Sequence, residues 1–280
     1  GHDAQGWPHD VLRRLVARAG EPLVRTATRR AVEIMANQFI AGETMDEALS
    51  RAHAHPRYRY SFDMLGEAAR TDADAKRYLA AYHDAVQRIG ARTAAAGRIE
   101  QRDGISIKLS ALHPRYEAAQ RERVLRELVP RVAGLCRAAV QADVPVTIDA
   151  EEADRLLLSL EIFERMARDP QLAQWEGVGL AVQAYQKRAL SVCAWITELA
   201  AATRGRLMVR LVKGAYRDGE IKRAQMLGLD DYPVYTRKAA TDVSYMACAQ
   251  MLLAAGGRLY PQFATHNCHT VAYMLHAARG

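Results

Sequence analysis

Short apolar runs alternate with longer amphipathic segments throughout the part of the chain that follows residue 104. Runs of this length are typical of buried β-strands, whereas the amphipathic segments have the residue spacing of helices. The pattern predicts strands at 105–111, 144–150, 178–184, 207–213 and 259–266. It predicts helices at about 118–142, 153–168 and 187–203, helical stretches as far as 255, and a last helix after 266. Because parallel strands need helical crossovers of this length, the alternation predicts a parallel sheet.

The first hundred residues have a mainly helical pattern, which one aromatic-rich segment interrupts. Helical spacing predicts helices at 11–18 and 22–41. Thr44–Glu47 has the form of a capping box, and a weaker box at Thr71–Asp74 begins a long helix to about residue 96. Between the two boxes, Tyr58–Gly66 predicts a further strand, which brings the expected number of strands to six.

Six β/α units fit either a doubly wound sheet or an incomplete eightfold barrel. No GxGxxG motif follows the first strand, which weakens the doubly wound dinucleotide-binding alternative. We therefore predict an α/β fold of the (β/α)8-barrel type, with about six of the eight strands present and N-terminal helices before them. The predicted helical segment covers residues 3–56, and the predicted barrel covers residues 57–280.

Polar residues occupy the carboxyl ends of all six predicted strands. They are Asp63, Lys108, Asp149, Gln183, Arg210, Lys213, Thr265 and His266. In a barrel these strand ends converge on one mouth, where active sites are found. A rim salt bridge, such as one from Lys108 to Asp149 or Asp63, is the structural alternative for any single member. Six strands that end in the same way favour a functional site.

Composition narrows the function classes further. The chain of 280 residues has 39 Lys and Arg against 32 Asp and Glu, a net charge of +7, but the basic residues are scattered rather than clustered. This distribution favours a soluble basic surface over a nucleic-acid site. The four cysteines form no CxxC pair, which argues against zinc and disulfides and fits a reducing compartment. His266 and His269 lack a third ligand in register, so we expect no metal.

Seven strings of residues carry a family resemblance. They are residues 60–68, 104–116, 147–154, 182–188, 210–216, 232–238 and 261–267. In this order and at these spacings they resemble the proline dehydrogenase domain of the bifunctional proline utilisation A flavoproteins. The resemblance extends from about residue 21 to residue 280.

The resemblance implies a distorted (β/α)8 barrel that binds FAD at its mouth and oxidises L-proline to Δ1-pyrroline-5-carboxylate by hydride transfer to flavin N5. It implies that electrons pass to a membrane quinone, and that the protein is cytoplasmic and peripherally membrane-associated when reduced. It also implies an aldehyde dehydrogenase domain in the same polypeptide and no nucleic acid bound by this segment.

The resemblance assigns roles to individual residues. It implies that Arg210 lies beside the flavin N5, that Gln183 hydrogen-bonds the isoalloxazine and that Asp149 orients its edge. Lys108 is expected to bind the proline carboxylate, and Tyr216 is expected to pack against the pyrrolidine ring. With Arg210 and Asp149, these two residues form the expected catalytic set. Leu211 and Asp63 complete the expected substrate site. The remaining cofactor positions are Ala150, Val212, Lys213, Gly214, Ala215, Tyr216, Thr236, Lys238, Thr241, Thr265, His266 and Asn267.

Two departures from the family pattern bear on activity. Arg217 stands where the family has tryptophan, so packing near the cofactor is expected to differ. The family's two further strands and final helix, with its arginine pair, are not matched within these 280 residues. We therefore expect weak or no proline oxidation by this chain alone, and a catalytically inactive flavin-binding or scaffold module is the alternative. A Schiff-base barrel that uses Lys108 or Lys213 is a third hypothesis.

Overall fold

The computed structural model describes residues 21–36, 40–66, 68–92 and 97–278. The chain divides into two compact units, Gly1–Tyr58 and Arg59–Gly280. The helix predicted at 11–18 lies outside the described residues.

In the first unit, two helices are described, α1 (Glu21–Ala36) and α2 (Met45–His53). The predicted capping box is half formed at the start of α2. The Thr44 hydroxyl accepts the Glu47 amide at 3.3 Å, as a capping hydroxyl should. The Glu47 carboxylate accepts the amide of Glu43 at 2.8 Å rather than that of Thr44.

In the second unit, six parallel strands form one sheet. They are β1 (Ser61–Phe62), β2 (Gly104–Ile107), β3 (Val146–Ile148), β4 (Val178–Gln183), β5 (Leu207–Val212) and β6 (Leu259–Phe263). The strands lie in sequence order, and each pairs in parallel with the next. A doubly wound sheet reverses its strand order at a switch point, whereas a barrel does not. The six-stranded half-barrel that the sequence predicts is therefore confirmed.

Helices follow the strands and cover the sheet. They are α3 (Asp72–Arg92), α4 (Leu109–Leu112), α5 (Arg121–Ala142), α6 (Leu156–Ala167), α7 (Ala189–Ala202), α8 (Arg217–Met226), α9 (Lys238–Ala254) and α10 (Cys268–Ala277). Every residue of β2, β3 and β4 is buried, which explains why these strands appear in the sequence as continuous apolar runs. Within the described ranges, no helix is both long and apolar enough to cross a membrane.

The prediction of a strand over residues 105–111 is wrong after residue 107. There the chain turns into the short helix α4, whose Leu109, Ala111 and Leu112 are all buried. The Lys108 amide donates to the Tyr82 hydroxyl at 2.9 Å, so a side chain of α3 replaces the strand ladder at this point. An apolar run cannot distinguish a buried strand from a buried helical turn. The strand predicted over 58–66 is likewise only two residues long.

Helices α3 and α5 contact each other closely at Gly90. A Cβ added there would lie 2.7 Å from both the Cβ and the carbonyl oxygen of Ala142. Gly134, also inside a helix, has no neighbour closer than 4.0 Å. Substitution by alanine at either glycine therefore gives the same change in helix propensity, but only the alanine at position 90 meets close neighbours.

We expect Gly90→Ala to lower the free energy of unfolding by about 1 kcal/mol, because overpacking outweighs the gain in helix propensity. Gly134→Ala should raise it by about 0.5–1 kcal/mol. Urea unfolding followed by circular dichroism measures both values. Equal stabilisation by the two substitutions would contradict the close α3–α5 contact.

Candidate active site at the barrel mouth

Four charged side chains from three successive strand ends and from β5 meet at the mouth. The Lys108 Nζ lies 2.8 Å from an oxygen of Asp63 and 3.6 Å from one of Asp149. A guanidinium nitrogen of Arg210 lies 3.7 Å from the other oxygen of Asp149. Two cations and two carboxylates thus form one cluster, in which Asp149 is shared between Lys108 and Arg210. Lys108 thus forms both of the rim ion pairs that were considered from the sequence, with Asp63 and with Asp149.

The Arg210 side chain extends across the interior of the half-barrel. Its guanidinium donates to the hydroxyls of Ser61 and Ser106 at 2.6 Å each. Longer hydrogen bonds of 3.4 Å reach the Thr147 hydroxyl and the Gln262 amide oxygen. The partners belong to β1, β2, β3 and β6, so one side chain of β5 connects most of the sheet.

Burial sets the electrostatics of this cluster. Desolvation lowers the pKa of Arg210, and the carboxylates of Asp149 and Asp63 oppose that shift. Desolvation raises the pKa of Asp149, and the nearby Asp63 carboxylate raises it further, against the opposing effects of Lys108 and Arg210. Raised carboxylate and lowered guanidinium pKa values in one cleft are typical of functional sites.

Gln183 connects the loops that follow β3 and β5. Its amide nitrogen donates to the Glu151 carbonyl at 2.8 Å, and its amide oxygen accepts the Ala215 amide at 3.1 Å. The neighbouring Gly214 has φ +140°, and a Cβ there would lie 2.3 Å from the Tyr185 ring. Only glycine therefore fits this loop. The loop that carries Ala215 and Tyr216 is fixed by backbone contacts before any ligand is considered.

A second cluster lies between the end of β5 and the start of α9. Lys213 and Lys238 donate to the two oxygens of Asp242, at 2.5 and 2.6 Å. These hydrogen bonds, the one from Lys213 first, lower the pKa of Asp242. Thr241 is buried beside this cluster, while Thr236 is exposed and its carbonyl accepts a hydrogen bond from Arg217. Two cations converge here on one carboxylate.

The residues after β6 have local roles. The Thr265 hydroxyl accepts the Asn267 amide at 3.2 Å, and the Asn267 side chain caps α10 by accepting the Thr270 amide at 3.0 Å. His266 is exposed. Leu211 is fully buried on the face of β5 opposite to Arg210, and it is not among the residues that line the cleft beside Lys108. Among the described residues, no group of three or more His, Cys, Asp or Glu has a metal-binding arrangement.

A cleft of about 660 Å³ opens beside the ion cluster and brings together Asp63, Lys108 and Tyr216. Its wall includes residues that the sequence analysis did not select, among them His113, Tyr116, Glu151, Glu152 and Arg155. Glu151 is buried, and its carboxylate accepts the Ser110 amide at 3.0 Å and Arg155 at 2.8 Å. This carboxylate fixes the loops after β2 and β3 relative to each other.

The hydroxyls that hold Arg210 are not among the residues predicted from the sequence, although a signal for them exists. Ser61, Ser106 and Thr147 each precede a strand-end charge by two residues, at Asp63, Lys108 and Asp149. Side chains two residues apart on a strand share a face, so these hydroxyls point to the same interior as the charges. Alternation along the strands would have identified them.

The fold and this site define a β/α-barrel domain whose mouth carries ion-paired strand-end residues. Comparison with known proteins narrows the class. The family profile described as "Proline dehydrogenase" matches residues 47–280. The chain belongs to the proline dehydrogenase family, and the resemblance that the sequence motifs indicated is confirmed.

The curated relatives are bifunctional PutA proteins. The Salmonella typhimurium protein is 53% identical over 269 residues, which are 95% of this chain and 20% of that protein. The Escherichia coli K12 protein is 53% identical over 263 residues, which are 93% of this chain and 20% of that protein. The chain therefore spans about one fifth of the length of the relatives that it matches.

Solved PutA structures have the same fold. A mutant form from Bradyrhizobium japonicum is 56% identical, with a TM-score of 0.83, and the match covers 95% of this chain and 27% of that one. A Bdellovibrio bacteriovorus PutA, described as inactivated by N-propargylglycine, is 30% identical with a TM-score of 0.86. That match covers 92% of this chain and 28% of the other.

His113, in the wall of the cleft, is held as a neutral imidazole. Its side chain is fully buried, its Nδ1 accepts the Arg115 amide at 3.1 Å, and its Nε2 lies 3.1 Å from Glu127. A proton on Nδ1 would face another N–H donor. Burial lowers the pKa of His113, although Glu127 opposes the shift.

Since the unfolded chain takes up this proton near pH 6.5 and the folded chain resists it, His113 should make the protein less stable as pH falls below about 6.5. His113→Asn keeps an acceptor for Arg115 and removes the titration. We expect the stability of the wild type relative to this variant to decline from pH 8 to pH 5 in urea unfolding. A difference that stays constant over this range would contradict the assignment.

Proposed function

We propose that the chain is an FAD-dependent proline dehydrogenase domain that oxidises L-proline to Δ1-pyrroline-5-carboxylate. The observation that carries the proposal is the Asp63–Lys108–Asp149–Arg210 cluster, which lies beside a cleft that Tyr216 shares with Lys108. Membership of the proline dehydrogenase family gives the reaction class. The description of one relative as inactivated by N-propargylglycine, an amino-acid compound, is consistent with an amino-acid substrate.

The residues present fit a flavin dinucleotide. Lys213 and Lys238 share the single carboxylate of Asp242, which leaves an excess of positive charge for a diphosphate. Arg210 and Gln183 place a cation and an amide at the mouth for the isoalloxazine, and Gly214 brings backbone to the same edge. When bound, FAD supplies an acceptor for a hydride equivalent. Asp149, Ala150, Val212, Ala215, Thr236, Thr241, Thr265, His266 and Asn267 complete the proposed cofactor set.

Lys108 supplies the cation that binds the carboxylate of the substrate. Asp63 and Asp149 orient the ammonium group of Lys108. Tyr216 offers an aromatic surface to the pyrrolidine ring. Proline oxidation requires orientation and exclusion of water rather than a nucleophile. Arg210 keeps a positive charge at the mouth, where the reaction delivers electrons. Leu211 is buried away from the cleft, so its proposed contribution is to the packing of β5.

A second candidate is a domain that binds flavin without turnover. The described sheet is not closed, since β1 and β6 each pair with a strand on one side only. An open mouth holds a small substrate less firmly. On this proposal, efficient turnover needs further polypeptide, as the bifunctional PutA relatives provide. A quinone as the electron acceptor, an aldehyde dehydrogenase domain as a partner and a cytoplasmic, peripherally membrane-associated location belong to the same proposal.

An absorbance spectrum of the chain with FAD, followed by anaerobic L-proline, tests the function. We expect bound flavin that bleaches slowly with L-proline, in keeping with weak oxidation by this chain alone, and that does not bleach with D-proline. Bound flavin that stays oxidised would favour the second candidate, and no flavin binding would contradict both.

Arg210→Met should slow flavin reduction by proline about a hundredfold, the typical effect of removing one preorganised electrostatic group. Arg165→Met, which removes an exposed arginine paired with Glu161 on α6, is the matched control and should leave the rate unchanged. Stopped-flow absorbance measures both rates. Equal rates in the two variants would remove Arg210 from the proposed mechanism.

A further inference from the structure

The guanidinium of Arg210 has its shortest contacts with neutral groups. Two nitrogens donate to Ser61 and Ser106 at 2.6 Å, whereas the nearest carboxylate oxygen, on Asp149, lies 3.7 Å away. The Arg210 side chain is only 18% exposed. A mostly buried cation therefore depends on two hydroxyl groups from other strands for its shortest hydrogen bonds.

The two serine hydroxyls also contact each other. Their oxygens lie 3.2 Å apart, and either hydroxyl can donate to the other. Both oxygens accept from Arg210, so each hydroxyl keeps its own proton for a neighbouring acceptor. The two hydroxyls and the guanidinium therefore form one connected hydrogen-bonded group.

Neutral acceptors hold a cation without neutralising it. A carboxylate at 2.6 Å would cancel most of the Arg210 charge, whereas a hydroxyl fixes the position of the guanidinium and leaves its charge in place. The side chain of arginine loses considerable rotamer freedom when it is fixed, and these hydrogen bonds offset that loss in the folded domain.

We propose that Ser61 and Ser106 are positioning residues, which fix the guanidinium of Arg210 beside Asp149 so that its positive charge faces the flavin. This inference rests on the proposed function for its consequence in catalysis. The positioning itself is a property of the chain without cofactor or substrate, so the two can fail separately.

The first test uses the chain without FAD or proline. Phenylglyoxal modifies arginines that can leave their hydrogen bonds, and mass spectrometry of the peptide that contains Arg210 gives the rate at this position. We expect the S61A/S106A variant to react about tenfold faster at Arg210, because hydrogen bonds to a charged group are the strong ones. Ser159→Ala, which removes a buried serine hydroxyl of helix α6 rather than of a strand, is the matched control and should leave the rate at Arg210 unchanged.

The second test uses the flavin-loaded chain. We expect S61A/S106A to slow anaerobic flavin reduction by proline about tenfold, with the concentration of proline at half-maximal rate unchanged, since Lys108 rather than Arg210 binds the carboxylate. Ser61→Thr keeps the hydroxyl and should restore the rate that Ser61→Ala loses. Thermal unfolding checks that the variants and the Ser159→Ala control are all folded at the temperature of the rate measurements.

The outcomes separate the two claims. An unchanged phenylglyoxal rate at Arg210 in S61A/S106A would overturn the positioning role, even if the wild type oxidises proline. A faster rate supports it even if the wild-type flavin is not reduced, a result that would count against the proposed function alone. A reduction rate lost equally in Ser61→Ala and Ser61→Thr would also overturn it.

Discussion

Placing a guanidinium inside a half-barrel is the constraint on which the rest of the mouth depends. Arg210 lies on the third residue from the carboxyl end of β5, and burial disfavours its charged form. Such a group is stable only when hydrogen bonds replace the water that it has lost. Three hydroxyls, one amide and one carboxylate do so, and they come from four different strands or their ends. The parallel order of the strands brings these segments to one place.

The loops around the mouth are stabilised in the same way, by hydrogen bonds to buried polar groups. Here the buried groups are backbone amides and carbonyls. Gln183 bonds to the backbone on both sides, Glu151 accepts the Ser110 amide, and Tyr82 accepts the Lys108 amide. Buried backbone groups beyond the end of a strand lack ladder partners and need other ones. Beyond the ends of the strands, side chains thus replace the backbone hydrogen bonds of the sheet. They hold the loops that carry the charged residues in fixed positions.

The sequence predicted the sheet better than it predicted the mouth. Continuous apolar runs identify β2, β3 and β4, because parallel strands covered on both faces contain few polar residues. The same criterion failed at Leu109–Leu112, where the apolar residues are buried in a helical turn. Charged residues at strand ends were found because charge is conspicuous in an apolar run. Ser61, Ser106 and Thr147 were missed because a hydroxyl is tolerated in a strand and does not interrupt an apolar run as a charge does.

The distribution of positive charge gives the mouth two separate groups of cations. Lys108 belongs to the end of β2 and pairs with two carboxylates, Asp63 and Asp149. Lys213 and Lys238 belong to the end of β5 and the start of α9, and they share one carboxylate, Asp242. The first cluster, with Arg210 included, is balanced in formal charge, whereas the second has an excess of one positive charge. On the proposed function, the second therefore attracts the more highly charged diphosphate. On the same proposal, the balanced cluster binds a monocarboxylate, and the proline carboxylate replaces part of the ion pairing of Lys108. A site of this kind selects by geometry, since a ligand that does not reach Lys108 and Tyr216 together gains too little to disrupt the existing ion pairs.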